Sequence, residues 1–174
     1  GTNVKLDVAS LNNTGGTIAG DSSLDIKSKG DITNLSGNIK GGDVSLTSTE
    51  GSIINETFAQ GSGDNSSYAT EIGKTAGITA TGNLNMDAAK DITVKGADVK
   101  ADGDVSLAAG ENVTFDTIVD KSAETTYSTS NGFLSSSTET KNTITTTNIG
   151  PKLGAGGNLT IKSGKDTTIA GSNV

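Results

Sequence analysis

The chain has no cysteine, no histidine and no tryptophan among its 174 residues, and only one proline. Without cysteine there is no disulfide scaffold, and without histidine as well most zinc sites and thiol chemistry fall away. The missing histidine also removes the usual general base. Aromatic residues make up 3 % of the chain, which is low for a lectin-like or small-molecule pocket. Acidic residues outnumber basic ones, 20 against 13, for a net charge of −7. That balance argues against a nucleic-acid partner, because phosphate binding needs a basic footprint. No apolar run approaches membrane-spanning length and no signal-peptide pattern occurs, so no integral membrane segment is expected.

Glycine, by contrast, is abundant at 24 residues, alongside many Ser, Thr, Asn and Asp. Such a composition is compatible with disorder, but the Leu, Ile and Val positions recur regularly, as they do not in disordered segments. The unit is clearest from Gly156 to Ala170, GGNLTIKSGKDTTIA. A glycine corner leads to Leu159 and Ile161 alternating with Thr160, and a second corner, Gly164-Lys165-Asp166, leads to Thr167-Thr168-Ile169. Alternation over so few residues is strand periodicity, and glycine marks where the backbone turns. Two short strands cannot bury their apolar face alone, whereas stacked copies can.

Earlier copies begin at Asn3-Val4, Ser23-Leu24, Asp43-Val44, Asn83-Leu84 and Asp104-Val105. The first three are equivalent at a period of about 20 residues, within the range of stacked repeats. Each copy offers three short apolar segments. Six copies predict an all-β, right-handed parallel β-helix of about six rungs, three short strands per rung, with the handedness following the general rule for parallel crossovers. Inward residues should stack in columns such as Val4-Leu24-Val44-Leu84-Val105-Leu159. Asn3, Asp43, Asn83, Asp104 and Asn158 recur at one corner, where Asp and Asn suit unusual backbone conformations and cap neighbouring backbone groups. The repeat runs from the first residues to Asn173-Val174 with no capping element, so residues 1–174 read as one β-helix segment of a longer array.

Two copies are interrupted. The third leaves the pattern after Ile54 and rejoins near Gly77; the fifth leaves after Phe115 and rejoins near Leu153. Both excursions, about 55–77 and 116–151, leave one corner, between the second and third strands, and are expected to form hairpins that combine into a lateral sheet. In the larger, Asn131-Gly132 suits a type I′ turn. Pairing outward from it sets Thr129 against Leu134, Val119 against Ile144 and, unfavourably, Glu124 against Glu139. The smaller is expected to turn at Gly61-Ser62-Gly63-Asp64, bringing Phe58 near Tyr68 and Ile54 near Ile72. Of the five aromatics, Phe58, Tyr68, Tyr127 and Phe133 lie in the excursions. These four are the candidate partner contacts; the competing reading is that the hairpins only shield the corner.

Catalytic readings are weaker. A carbohydrate-active β-helix enzyme, a polysaccharide lyase or glycosidase, would use acidic residues facing a groove. Asp43, Asp104 and Asp91 are the stackable candidates, but they alternate with Asn and Ser, which favours corner capping. Gly41-Gly42-Asp43-Val44 and Gly156-Gly157-Asn158-Leu159 match only half of a calcium-roll motif. No catalytic residue, metal ligand or cofactor is assigned, and the chain is not expected to be an enzyme.

The segments GGNLTIKSGKDTTIAGSNV and GDVSLAAGENVTF, with the Ser/Thr-rich insertion ending TTTNIGPKLGAGGN, resemble the haemagglutinin repeat of filamentous-haemagglutinin-type exoproteins. The resemblance implies a fibrous stalk of a large secreted protein on the surface of a Gram-negative bacterium, exported by an outer-membrane two-partner secretion transporter. Members include adhesins and contact-dependent growth-inhibition toxins, so a host or target-cell surface is the implied counterpart. The repeat carries no catalytic residues to transfer.

Overall fold

Leu, Ile and Val alternating with polar residues favour extended backbone with one buried face. The computed structural model, which describes residues 1–64 and 66–171, places them in strands β1 (Asn3–Val8), β2 (Leu11–Thr14), β3 (Thr17–Ser28), β4 (Ile32–Leu35), β5 (Asn38–Ser48), β6 (Ile53–Glu56), β7 (Ala59–Gly63), β8 (Ser67–Ile72), β9 (Gly77–Ala80), β10 (Leu84–Ala88), β11 (Ile92–Lys95), β12 (Asp98–Ala101), β13 (Val105–Ala109), β14 (Val113–Asp116), β15 (Ile118–Asn131), β16 (Ser136–Ile149), β17 (Lys152–Ala155), β18 (Leu159–Ser163) and β19 (Thr167–Ile169). No helix occurs among the described residues, and the end of the repeat at Asn173-Val174 lies outside them.

Two parallel sheets make the body. One, nine-stranded, runs β17-β12-β9-β5-β10-β13-β18 with β3 and β1 attached through β5; the other, six-stranded, runs β19-β14-β11-β6-β4-β2. This all-β, largely parallel stacking fits a β-helix. The predicted column is the observed register, since Val4 pairs with Leu24, Leu24 with Val44, Val44 with Leu84, Leu84 with Val105 and Val105 with Leu159. Leu24, Val44, Leu84 and Val105 are at most 2 % exposed, so each contributes roughly 1.5–3 kcal/mol of apolar burial. β3 and β5 each join the last strand of one repeat to the first of the next. Their registers shift between Gly20 and Ser23, where β3 carries one residue more than β5 and bulges.

Asp and Asn at the corners cap as expected. Asn83 N–H donates to Asp43 Oδ1 (2.8 Å), Asp104 N–H to Asn83 Oδ1 (2.9 Å) and Asn158 N–H to Asp104 Oδ1 (2.6 Å). A second corner repeats the device: Asp31 Oδ1 accepts from Ser52 N–H (2.8 Å) and Asp91 Oδ1 from Asn112 N–H (3.1 Å). From the second repeat on, each repeat thus caps the backbone of the next, whereas Asn3 Oδ1 accepts from the Ser23 hydroxyl instead (3.0 Å).

An unforeseen ladder runs through the interior. Asn13 pairs with Asn34 and Asn34 with Asn55 in register, and all three side chains are buried. Asn13 Nδ2 donates to Asn34 Oδ1 and Asn34 Nδ2 to Asn55 Oδ1, both at 2.7 Å. Asn34 also reaches Gly37 O (2.9 Å) and Asn55 reaches Asp98 O (3.0 Å). Buried amides cost little when fully paired. Beyond Asn55 the column turns apolar, with Val94 and then Phe115 in register.

The chain leaves the body at one corner, the residue after the second strand of a repeat. By register the residues at that corner are Gly15, Ser36, Thr57, Gly96, Thr117 and, two residues beyond β19, Gly171. Gly15, Ser36, Gly96 and Gly171 take positive φ (66°, 49°, 54° and 55°), and where the third strand is described the chain passes directly into it. A β-branched residue is poorly suited to that conformation, and at Thr57 and Thr117 the chain departs instead. Thr57 Oγ1 donates to Gly96 O (2.6 Å) and accepts from Ala76 N–H (2.9 Å), which joins the start and end of the first excursion.

Candidate interaction surface

The excursions meet in a third, antiparallel sheet of order β16-β15-β8-β7. It is joined across the excursions by Ser122 to Ala69, Ala123 to Tyr68 and Glu124 to Ser67. Thr70 Oγ1 bridges the same seam, donating to Lys121 O (3.1 Å) and accepting from Lys121 N–H (3.0 Å).

The registers differ from those read off the sequence. β15 and β16 pair Ile118 with Ile149 through Asn131 with Ser136 without a break. The connection is therefore Gly132-Phe133-Leu134-Ser135, closed by Gly132 N–H to Ser135 O (2.7 Å). Neither Asn131 nor Gly132 has the positive φ that a type I′ turn requires. Thr129 then faces Thr138 rather than Leu134, and Val119 faces Asn148 rather than Ile144. Glu124 faces Thr143 and Glu139 faces Ser128, so the like-charge opposition does not arise. In the smaller excursion Gly63, not Phe58, lies opposite Tyr68, and Ala59, not Ile54, lies opposite Ile72. The connection there includes Asp64, whose carboxylate accepts N–H bonds from Ser66 (2.8 Å) and Ser67 (3.1 Å) and the Ser66 hydroxyl (2.6 Å). The Ser66 side-chain and backbone bonds, then the Ser67 bond, hold the Asp64 carboxyl below the usual aspartate range.

Side chains directly opposite in an antiparallel pair share a face. One face of the lateral sheet therefore carries Val119, Lys121, Ala123 and Tyr127 from β15, Ile144 from β16 and Tyr68 from β8, interspersed with Thr125, Thr140, Asn142, Thr146 and Asn148. The opposite face carries Asp120, Ser122, Glu124, Thr126, Thr143, Thr145 and Thr147. The larger apolar side chains of the lateral sheet thus gather on this, the more apolar face, and are largely uncovered: Val119 is 48 %, Ile144 60 % and Tyr127 68 % exposed. Tyr68 is half-buried because its ring lies over Gly61, where any Cβ would meet the ring, and Lys121 Nζ stands 5.6 Å from the ring centroid. Between this face and the six-stranded sheet is an open cleft of about 430 Å³, lined by Tyr68, Thr70 and Val119 on one side. Glu56, Lys95 and Asp116 line the other, with Lys95 Nζ 3.4 Å from Glu56.

The four candidate aromatics are not gathered into one patch. Tyr68 and Tyr127 share the apolar face. Since Tyr68 pairs with Ala123, Tyr127 lies about 13 Å farther out along β15. Phe58 sits half-buried at the base, its N–H donating to Ser36 Oγ (2.9 Å). Phe133 is fully exposed at the far tip beside Leu134, 92 % exposed. Val119, Lys121 and Ile144 belong to the face but were not among the candidates. The even spacing of Val119, Ala123 and Tyr127 carried that signal. The acidic residues weighed for catalysis, Asp43, Asp91 and Asp104, each hold a backbone N–H of the next repeat. Among the described residues no group of three or more Asp or Glu could hold a metal ion.

A body of stacked parallel strands with a lateral antiparallel sheet defines a repetitive β-stack protein. The chain belongs to the hemagglutinin repeat family, which matches residues 57–174, both excursions included. It is similar to the tRNA nuclease CdiA of Yersinia mollaretii, 29 % identical over 91 % of this chain and 6 % of that protein. The tRNA nuclease CdiA of Escherichia coli strain 536 is 37 % identical over 56 % of this chain and 3 % of its own length. The 16S rRNA endonuclease CdiA of Enterobacter cloacae is 38 % identical over 57 % and 4 %. The chain therefore spans only a few per cent of the curated relatives it matches. No solved structure matches it.

Proposed function

We propose that this chain is a stalk and interaction segment of a large secreted exoprotein on the surface of a Gram-negative bacterium. In this reading residues 1–174 form one continuous stretch of a right-handed parallel β-helix of about six rungs, cut from a longer array, with two hairpins leaving one corner. Export of the parent runs through an outer-membrane two-partner secretion transporter. The relatives are named as RNA nucleases and, in one case, as a toxin, which favours a contact-dependent toxin-delivery parent over an adhesin. The segment has no catalytic role of its own and needs no cofactor.

The single observation that carries an interaction role is the uncovered apolar face of the lateral sheet. A stalk needs only its columns and corner caps, and an exposed aromatic-aliphatic face on an otherwise polar sheet marks a contact site. Tyr68 and Tyr127 are the central contacts and Phe133 the distal one, with Phe58 fixing the base; the counterpart is a target-cell or host surface. The test is a parent exoprotein carrying Tyr127→Ser and Phe133→Ser in this segment. Export and surface display should remain at the unsubstituted level while target-cell engagement falls. Unchanged engagement at equal display would refute the reading.

A further inference from the structure

The outer edge of β16 is the longest unpaired strand edge of the lateral sheet. Among the described residues β16 pairs only with β15, and every residue from Ser136 to Asn148 is exposed. Such an edge presents a row of free N–H and C=O groups, and proteins ordinarily defend it with proline, bulges, several lysines or shortness. Here the strand is 14 residues long, contains no proline and one lysine, and keeps unbroken register with β15. The opposite edge, β7, has five residues and is protected by being short.

We infer that β16 is a self-docking edge: two copies of this chain pair β16 with β16, antiparallel, about a two-fold axis through Thr140. Three features select a second copy and this register. Glu139 and Lys141 flank Thr140. A two-fold through Thr140 sets Glu139 of each copy opposite Lys141 of the other, on the same face, giving two opposite-charge pairs by symmetry. Among the described residues neither side chain has an ion-pair partner within the chain. Second, the same register lays the tip, with its exposed Phe133 and Leu134, alongside residues 145–148 of the other copy. There the neighbouring Ile144 is itself 60 % exposed, so apolar surface is covered at both ends. Third, full overlap of the two strands is disfavoured. It sets Lys141 opposite Ile144, leaves both charges unpaired, and drives each tip towards the body of the other copy at residues 150–153. The docked pair continues the lateral sheet from four strands to eight.

The inference does not depend on the target-cell contact proposed above, and sedimentation of the purified chain reads it separately. The expected result is a concentration-dependent monomer–dimer equilibrium. Glu139→Lys alone and Lys141→Glu alone each place two like-charge pairs at the seam and should weaken dimerisation by about tenfold or more. Mixing the two variants in equal amounts should restore association as a heterodimer, because each then meets its complement. The double variant, Glu139→Lys with Lys141→Glu, should dimerise with itself. Both positions are exposed, and unchanged circular dichroism of each variant checks the fold. An unsubstituted chain that stays monomeric overturns the inference, as do single reversals that dimerise undiminished. Failure of the mixture to associate overturns the register.

Discussion

Replacing Asn34 tests whether the interior amide ladder stabilises the stack. Its side chain is fully buried, accepts from Asn13 Nδ2 (2.7 Å) and donates to Asn55 Oδ1 (2.7 Å) and Gly37 O (2.9 Å). In Asn34→Ala, Asn13 keeps a bond to Gly16 O (3.2 Å), but the buried Asn55 Oδ1 loses its ladder donor and Gly37 O loses a side-chain donor. An orphaned buried polar group costs about 1–3 kcal/mol. With the small cavity added, the expected loss is about 2–4 kcal/mol. For a domain of this size 1 kcal/mol lowers the midpoint by about 2–4 °C, so the melting temperature should fall by roughly 4–16 °C. The assay is thermal unfolding followed by circular dichroism, with Asn85→Ala as control. Asn85 is exposed on β10 and its change should stay within about 0.5 kcal/mol. Asn34→Leu separates the causes, because it refills the volume without replacing the polar atoms and should remain destabilised. If Asn34→Ala melts with the Asn85 control, or if Leu restores full stability, the ladder is packing filler and the reasoning is wrong.

Two further predictions concern the corners. Replacing residues 117–151 by Gly-Ala recreates the Lys95-Gly96-Ala97-Asp98 connection between Asp116 and Lys152. The chain should keep its β-rich circular dichroism and cooperative melting, while Ser67–Ile72, deprived of β15, becomes sensitive to limited proteolysis; loss of the folded body would show that the excursion belongs to the core. Asp104→Ala removes the acceptor for Asn158 N–H and should cost about 1 kcal/mol, whereas Asp104→Asn should melt near the unsubstituted chain, since Asn83 performs the same capping for Asp104. Equal melting of the two variants would exclude the cap.

The parts legible in the sequence were those in which residue type and period report the same thing. Val4, Leu24 and Val44 repeat an inward position flanked by turn residues, and apolar burial leaves such a strand one register. β15 and β16 lack that marker. Their Ser and Thr positions are interchangeable, so the reading leaned on Asn131-Gly132, and the turn instead fell at residues 132–135. The expected register would still have put Val119 and Ile144 on one face, because it differs from the observed one by an even number of residues. The asparagine ladder was hidden for another reason. Asn ordinarily signals a turn, so residue type alone does not mark Asn13, Asn34 and Asn55 as interior. Their constant separation of 21 residues, in phase with Leu11, Ile32 and Ile53, was the available sign that they point inward.

The threonine corners connect this architecture to function. At Gly15, Ser36 and Gly96 a residue in the left-handed region turns the chain directly into its third strand, and no surface is added. At Thr57 and Thr117 that turn is disfavoured by the β-branched side chain, and the chain departs into the excursions. Ile78 and Leu153 still return to their places opposite Ile39 and Val99. Because the two departures share one corner with a single plain corner between them, β8 and β15 emerge near enough to pair. The residue at this one position has positive φ where the repeat contributes only height and is threonine where it also contributes two strands of lateral surface. The apolar face and the free edge of β16 both follow from the two repeats that make the second choice.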